Sequence, residues 1–229
     1  MSFPDNTQER TDVPTGLLQQ LSTLAKYKDR SHQTCHETHL PILKDTKFLS
    51  IALLGDSMTE RFLATGSTTQ VAKLPSSFNA GCGGAKISNV IYRLNIMLPH
   101  LPSDVKVWVL MAGTNDLAKK KAVKNVDVEA YGVLVRALLK VAPRSRVLIC
   151  EVFERRGALD ECVEVTNGKW GGMVGELNGE ELGERVSWLE PPKLEREKHL
   201  DDHVHLNEEG YGSWDEVLVG RIREMLGEE

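Results

Sequence analysis

Phe48-Leu49-Ser50-Ile51-Ala52-Leu53-Leu54 is apolar but for one serine, and it stops abruptly at Gly55-Asp56-Ser57. A short apolar run with no polar alternation, ended by turn residues, is the pattern of a strand covered on both faces. Val105-Lys-Val-Trp-Val-Leu-Met111 and Arg146-Val-Leu-Ile-Cys-Glu-Val-Phe153 read the same way. Shorter candidates lie at Ser77-Phe78-Asn79 and Val186-Ser-Trp-Leu189. Between these runs the apolar period lengthens to that of a helix. Ile87, Val90, Ile91, Leu94 and Leu98 share one face, as do Leu134, Leu138 and Val141 before Pro143 ends the pattern. Strands alternating with helices imply an α/β protein with a five-stranded, mostly parallel sheet between two helical layers. In such sheets ligands bind at the carboxyl ends of the strands, so chemistry is sought where each apolar run stops.

Outside this alternation, residues 1–14 read as a polar arm, and Leu17, Leu18, Leu21, Leu24 and Ala25 follow a helical spacing. Asn207 is placed to cap a last helix, with Glu208 and Glu209 in its first turn and Trp214, Val217, Leu218, Ile222, Met225 and Leu226 toward the core. Residues 154–185 break the rhythm. They carry glycines at 157, 168, 171, 172, 175, 179 and 183, with Trp170, Met173, Val174, Leu177 and Leu182 as anchors. The expectation there is a long excursion between the fourth and fifth strands, a flap with a short helix. With no repeat and no linker, the chain reads as one domain over 48–229, with an N-terminal arm and helix at 1–47 packed on it.

Composition narrows the function. The 229 residues are 41% hydrophobic and 27% charged, a globular balance, and such a length needs no disulfide or metal to build a core. The net charge of −5 offers no basic excess for a phosphate backbone, so nucleic acid is not an expected partner. No apolar stretch is long enough to span a bilayer, and the first ten residues contain no signal-peptide core. Cys35, Cys82, Cys150 and Cys162 form no CxxC pair and no Asn-x-Ser/Thr sequon occurs, which favours a cytoplasmic protein. His32, Cys35, His36 and His39 are metal-ligand types, but their spacing fits neither a zinc finger nor a haem attachment site; a polar helix end or loop is the reading.

Four segments at the ends of elements carry polar groups. Ser57 follows the first strand, where it is either an exposed nucleophile or a helix cap; Thr59 stands where the Gly-x-Ser-x-Gly elbow requires glycine. Asn79-Ala-Gly-Cys-Gly-Gly-Ala85 is a glycine turn before a helix, able to present N–H groups to an anion, yet Lys86 spoils both the dinucleotide and the P-loop fingerprints. Ala112-Gly-Thr-Asn-Asp116 follows the third strand, and the Asn115 amide is a donor suited to an oxyanion or, more plainly, to its own turn. Leu200-Asp-Asp-His-Val-His-Leu-Asn207 brings Asp201, Asp202, His203 and His205 together, and an Asp beside a His fixes the imidazole tautomer for base catalysis. At this point all four compete for that role, beside a solvated acidic loop or a His-x-His metal site.

Taken in order, Gly55-Asp-Ser57, the glycine turn ending in Gly84, Gly-Thr-Asn115-Asp and Asp202-x-x-His205 closely resemble the four blocks of the SGNH (GDSL) hydrolases. Phe78-Asn-Ala-Gly-Cys-Gly-Gly84 and His205-Leu-Asn-Glu-Glu-Gly-Tyr211 look most like the acetylhydrolase-type branch, related to intracellular platelet-activating-factor acetylhydrolase catalytic subunits. The resemblance runs from about residue 48 to the C-terminus. It implies a flavodoxin-like three-layer α/β/α fold and a serine esterase acting on small or short-chain esters. It also implies a triad of Ser57, His205 and Asp202, oxyanion donors at Ser57, Gly84 and Asn115, and no metal or cofactor. Thioesterase, carbohydrate deacetylase and a silent binding module on the same fold are the competing readings. Arg155, Arg156 and Lys169, beside or within the expected flap, are charges for an acidic substrate or simply solvated surface.

Overall fold

The computed structural model describes residues 13–180 and 184–228, and each of the five runs supplies the residues of a strand. Helix α1 (Thr15–Leu24) comes first, followed by a helical run from α2 (Asp29–Thr34) through a wide π turn (Cys35–His39) into α3 (Leu40–Asp45). The alternation then begins: β1 (Ile51–Gly55), the one-turn helix α4 (Ser57–Glu60), β2 (Ser77–Gly81), α5 (Ile87–Met97), β3 (Val107–Met111) and α6 (Asn125–Val141). It continues with β4 (Arg146–Cys150), α7 (Asp160–Gly179), β5 (Val186–Leu189), α8 (Arg196–His199) and α9 (Glu208–Leu226).

The sheet order is β2-β1-β3-β4-β5 and every pairing is parallel, so the sheet is wholly rather than mostly parallel. This is the flavodoxin-like order, which reverses between β1 and β3 and opens a crevice there. Alternate residues of the strands feed two cores. Ala52, Leu54, Trp108, Leu110, Val147 and Ile149 pack with residues of α1, α5, α6 and α7. Ile51, Leu53, Val107, Val109, Met111 and Leu148 pack with Phe62 and with Tyr211, Trp214, Leu218 and Ile222 of α9. Parallel strands covered on both faces have no polar side to show, which is why their sequences are almost continuously apolar.

Two expectations are corrected. Residues 160–179, expected as part of a flap with a short helix, form the twenty-residue α7, which covers the sheet as a full member of one layer. Cys162, Val163, Thr166, Trp170, Met173, Val174 and Leu177 are its buried face. The glycines hide that period, because each costs a helix about 1 kcal/mol relative to alanine. Packing overrides the deficit. A Cβ at Gly171 would stand 2.2 Å from the Trp188 ring, so this glycine lets β5 approach the helix. The Asn167 side chain exchanges hydrogen bonds with both backbone groups of Val152 at 2.9 and 3.0 Å, and Asn178 does the same with Val186 at 3.1 and 2.7 Å. Leu182, expected as an anchor, lies outside the described residues. The second correction is Val217, which is 37% exposed and lies off the α9 stripe rather than in the core.

The histidine-rich stretch belongs to the helical run before β1. His39 is buried with its ring edge-on to Phe78, while the His32 Nδ1 and the Tyr92 hydroxyl share a hydrogen bond at 2.8 Å. No helix among the described residues is long and apolar enough to cross a membrane.

Candidate active site

Ser57 sits where β1 ends, at the first position of α4, and is 8% exposed. Asp56 is the cap that makes this turn: its carboxylate accepts the Met58 N–H at 2.9 Å. The Tyr211 hydroxyl of α9 donates to the Met58 carbonyl at 2.8 Å and ties the short helix down. Being first in the helix, the Ser57 N–H has no intrahelical acceptor.

His205 arrives from the loop between α8 and α9. Leu200 and Leu206, both buried, are paired across that loop, and the Asp201 N–H donates to the His205 carbonyl at 2.8 Å. The segment between them therefore projects from the core as a closed turn. Within it Asp202 Oδ1 accepts the N–H groups of Val204 and His205 at 2.7 and 2.8 Å. Its other oxygen lies 2.7 Å from His205 Nδ1, and His205 Nε2 lies 2.9 Å from Ser57 Oγ. Burial opposes ionisation of Asp202, but the bonds from the His205 ring and from the two backbone N–H groups outweigh it and hold the carboxyl well below the usual carboxylate range. An ionised carboxylate only accepts, so Nδ1 carries the proton and Nε2 is left to accept the Ser57 hydroxyl.

The four residues that competed in this loop are thereby separated. Asp201 pairs with Arg61 at 3.3 Å, and His203 lies against Gly157 with its carbonyl accepting the Arg156 N–H at 3.0 Å. Asp202 and His205 are the pair that reaches Ser57.

The glycine turn after β2 and the loop after β3 meet at the same strand ends. Gly84 has φ +68°, a conformation that a residue with a Cβ adopts only under strain. The Asn115 amide donates one N–H to the Ala85 carbonyl at 3.0 Å, which sets its plane and leaves its second N–H to another acceptor. Asp116 accepts the Ile87 N–H at 3.1 Å, so the loop after β3 also anchors the first turn of α5. Beneath the turn, the buried Arg93 guanidinium donates to the carbonyls of Gly55 at 2.7 Å and Ala80 at 3.2 Å, clamping the ends of β1 and β2. The charges near the expected flap are engaged elsewhere. Lys169 donates to Val123 and Asn125 of the segment that begins α6, Arg155 to the Leu117 carbonyl, and Arg156 to the Arg196 carbonyl.

Asp56 was not singled out from sequence beyond its place in the motif. It is fully buried, and burial pushes its carboxyl up from 3.8 to about 7 against the lowering effect of the Met58 N–H. Arg93 and Lys28 were also missed. Nothing in a lone charged residue on a helix or in a loop distinguishes it from solvated surface.

A family model for the GDSL-like lipases/acylhydrolases matches residues 53–212. The chain belongs to this family. Its members hydrolyse carboxylic esters, and this chain is an ester hydrolase of the same type. No curated protein sequence matches the chain. Solved structures share the fold. A Streptococcus pneumoniae protein assigned as a platelet activating factor is similar with a TM-score of 0.60 at 16% identity, covering 90% of this chain and 94% of that one. A Bacteroides fragilis protein assigned as an acylhydrolase gives 0.64 at 16%, covering 87% and 100%. A family 3 carbohydrate esterase from Talaromyces cellulolyticus gives 0.58 at 17%, covering 79% and 99%. At these identities the likeness is one of fold.

Proposed function

We propose that this GDSL-family hydrolase is a serine esterase for small or short-chain carboxylic esters, with Ser57 as nucleophile, His205 as general base and Asp202 as its orienting partner. The observation that carries this reading is the continuous chain of contacts from Asp202 Oδ2 through His205 to Ser57 Oγ, at 2.7 and 2.9 Å. His205 Nε2 takes the Ser57 proton as Oγ bonds to the ester carbonyl carbon. The carbonyl oxygen becomes an oxyanion, received by the N–H groups of Ser57 and Gly84 and by the free N–H of the Asn115 amide. Collapse of the tetrahedral intermediate breaks the bond to the alkoxy oxygen, which leaves with the proton from His205. Water, deprotonated by the same imidazole, then attacks the acyl-enzyme and releases the carboxylic acid and free Ser57.

Esters of sugar hydroxyls are a second substrate class carried into the test, since proteins of this fold include a carbohydrate esterase. The test is hydrolysis of p-nitrophenyl esters from acetate to octanoate, and of an acetylated xylose, by the wild-type protein and Ser57→Ala. Activity that falls with acyl length and is lost in Ser57→Ala is expected. Undiminished hydrolysis by a folded Ser57→Ala protein would overturn the assignment.

A further inference from the structure

The family match begins at residue 53, yet the outer wall of the Gly81–Ala85 turn is built by residues 26–34. This stretch is stitched to the start of α5, where the Lys26 N–H donates to Ser88 O at 3.0 Å and Lys26 O accepts the Asn89 amide at 2.8 Å. From there it touches three successive residues of the turn. Ser31 Oγ and Thr34 Oγ1 lie 3.8 and 3.6 Å from Cys82 Sγ. The Arg30 guanidinium lies over Gly83, where a Cβ would approach it to 2.6 Å, and it also reaches both carboxylate oxygens of Glu60 at 3.2 and 2.9 Å. Glu60 is the last residue of α4, the helix that Ser57 begins. Lys28, half-buried, donates from Nζ to the Gly84 carbonyl at 2.5 Å. Among the described residues, no carboxylate forms an ion pair with Lys28.

The peptide that carries the Gly84 carbonyl is thus held on both edges, since its Ala85 N–H donates to Cys82 O at 3.2 Å. The Gly84 N–H and C=O belong to adjoining peptide planes that pivot on a Cα without a side chain, and glycine resists such pivoting least of all residues. A charge-assisted bond from an ammonium is stronger than a neutral one and holds the carbonyl plane. The same ammonium leaves a positive charge at the turn, where the reaction develops a negative one.

We propose that Lys28, from outside the family-matched region, is a positioning residue of this active site: it locks the Gly84 peptide so that its N–H meets the oxyanion, and its charge favours that anion. The proposal rests on the serine-esterase reading above. The experiment compares wild type, Lys28→Met, Lys28→Gln and Lys28→Arg on p-nitrophenyl acetate, with melting temperatures and with inhibition by phenylboronic acid, which forms a tetrahedral adduct on a serine nucleophile. Removing an oxyanion donor outright costs about 10²–10³ in kcat, so loosening one is expected to cost about 10-fold. In Lys28→Met that loss falls on kcat with KM within about twofold, and boronate binding weakens by the same factor as kcat/KM. Lys28→Arg, which retains both bond and charge, recovers most of the activity, and Lys28→Gln, which keeps a donor without the charge, falls between. Wild-type kcat in Lys28→Met would overturn the proposal, as would a loss confined to KM. If Lys28→Met does not fold, a kcat for Lys28→Gln equal to that of wild type overturns it instead. A wild-type protein that neither hydrolyses esters nor binds boronate would fail the esterase reading itself, a result distinct from active, boronate-binding Lys28 variants.

Discussion

Replacing Asp56 by asparagine should change how the stability of this protein depends on pH. The Asp56 carboxyl has no exposed surface; Oδ1 accepts the Met58 N–H at 2.9 Å and the Thr114 hydroxyl also favours the ionised form, but burial outweighs both. Burial therefore raises it from 3.8 to about 7. Between those values the folded protein keeps the proton and the unfolded chain releases it, so folding loses free energy with each step up in pH. The contribution is complete below 3.8, declines across the window and is gone above about 7. At about 1.4 kcal/mol per pH unit, a window from 3.8 to about 7 amounts to about 4 kcal/mol. Asparagine keeps the acceptor for the Met58 N–H and titrates in neither state. Urea unfolding of both proteins from pH 4 to pH 8 should show Asp56→Asn gaining about 4 kcal/mol on wild type across that range. Asp202, which is lowered, titrates in both proteins and cancels in the comparison, whereas Asp116, which burial raises to about 6, feels the Asp56 charge and adds a smaller difference of its own. Two unfolding curves that stay parallel within about 0.5 kcal/mol would refute the reasoning.

Two further outcomes are expected. Asn115→Ala removes a donor whose plane is set by the 3.0 Å bond to Ala85, and kcat should fall about 10²–10³-fold with KM little changed, read from steady-state ester hydrolysis. Trp170→Ala should cost about 3–5 kcal/mol in chemical denaturation, because this fully buried ring packs edge-on against Tyr131 at 4.9 Å; a loss under about 1 kcal/mol would mean that α7 is an appendage after all.

The limits of sequence reading in this protein follow from its physics. The runs at 48–54, 105–111 and 146–153 were legible because a doubly covered parallel strand admits few polar residues over its length. Helices α5 and α6 were legible because one face packs on the sheet and the other meets water. α7 was not, since its glycines and outward charges weaken the local signal, and its stability comes from Trp170, Asn167 and Asn178 against partners distant in sequence.

At the site, the four polar blocks and their order were determined by sequence alone, as was the helix that Asn207 caps, because a cap is a local interaction; before α4 the sequence offered Ser57 as the cap, and the structure gives that place to Asp56. The residues alone left Asp201, Asp202, His203 and His205 as equals, since neighbours in one acidic loop share the same local preferences, and only family resemblance chose among them. Tertiary structure separates their positions by closing the loop through Leu200 and Leu206, which brings His205 to Ser57 across 148 positions of chain and turns Asp201 toward Arg61. Lys28 is the extreme case. Its contact with Gly84 spans 56 positions and depends on where α1 and α5 pack, so no local pattern in the sequence can announce it.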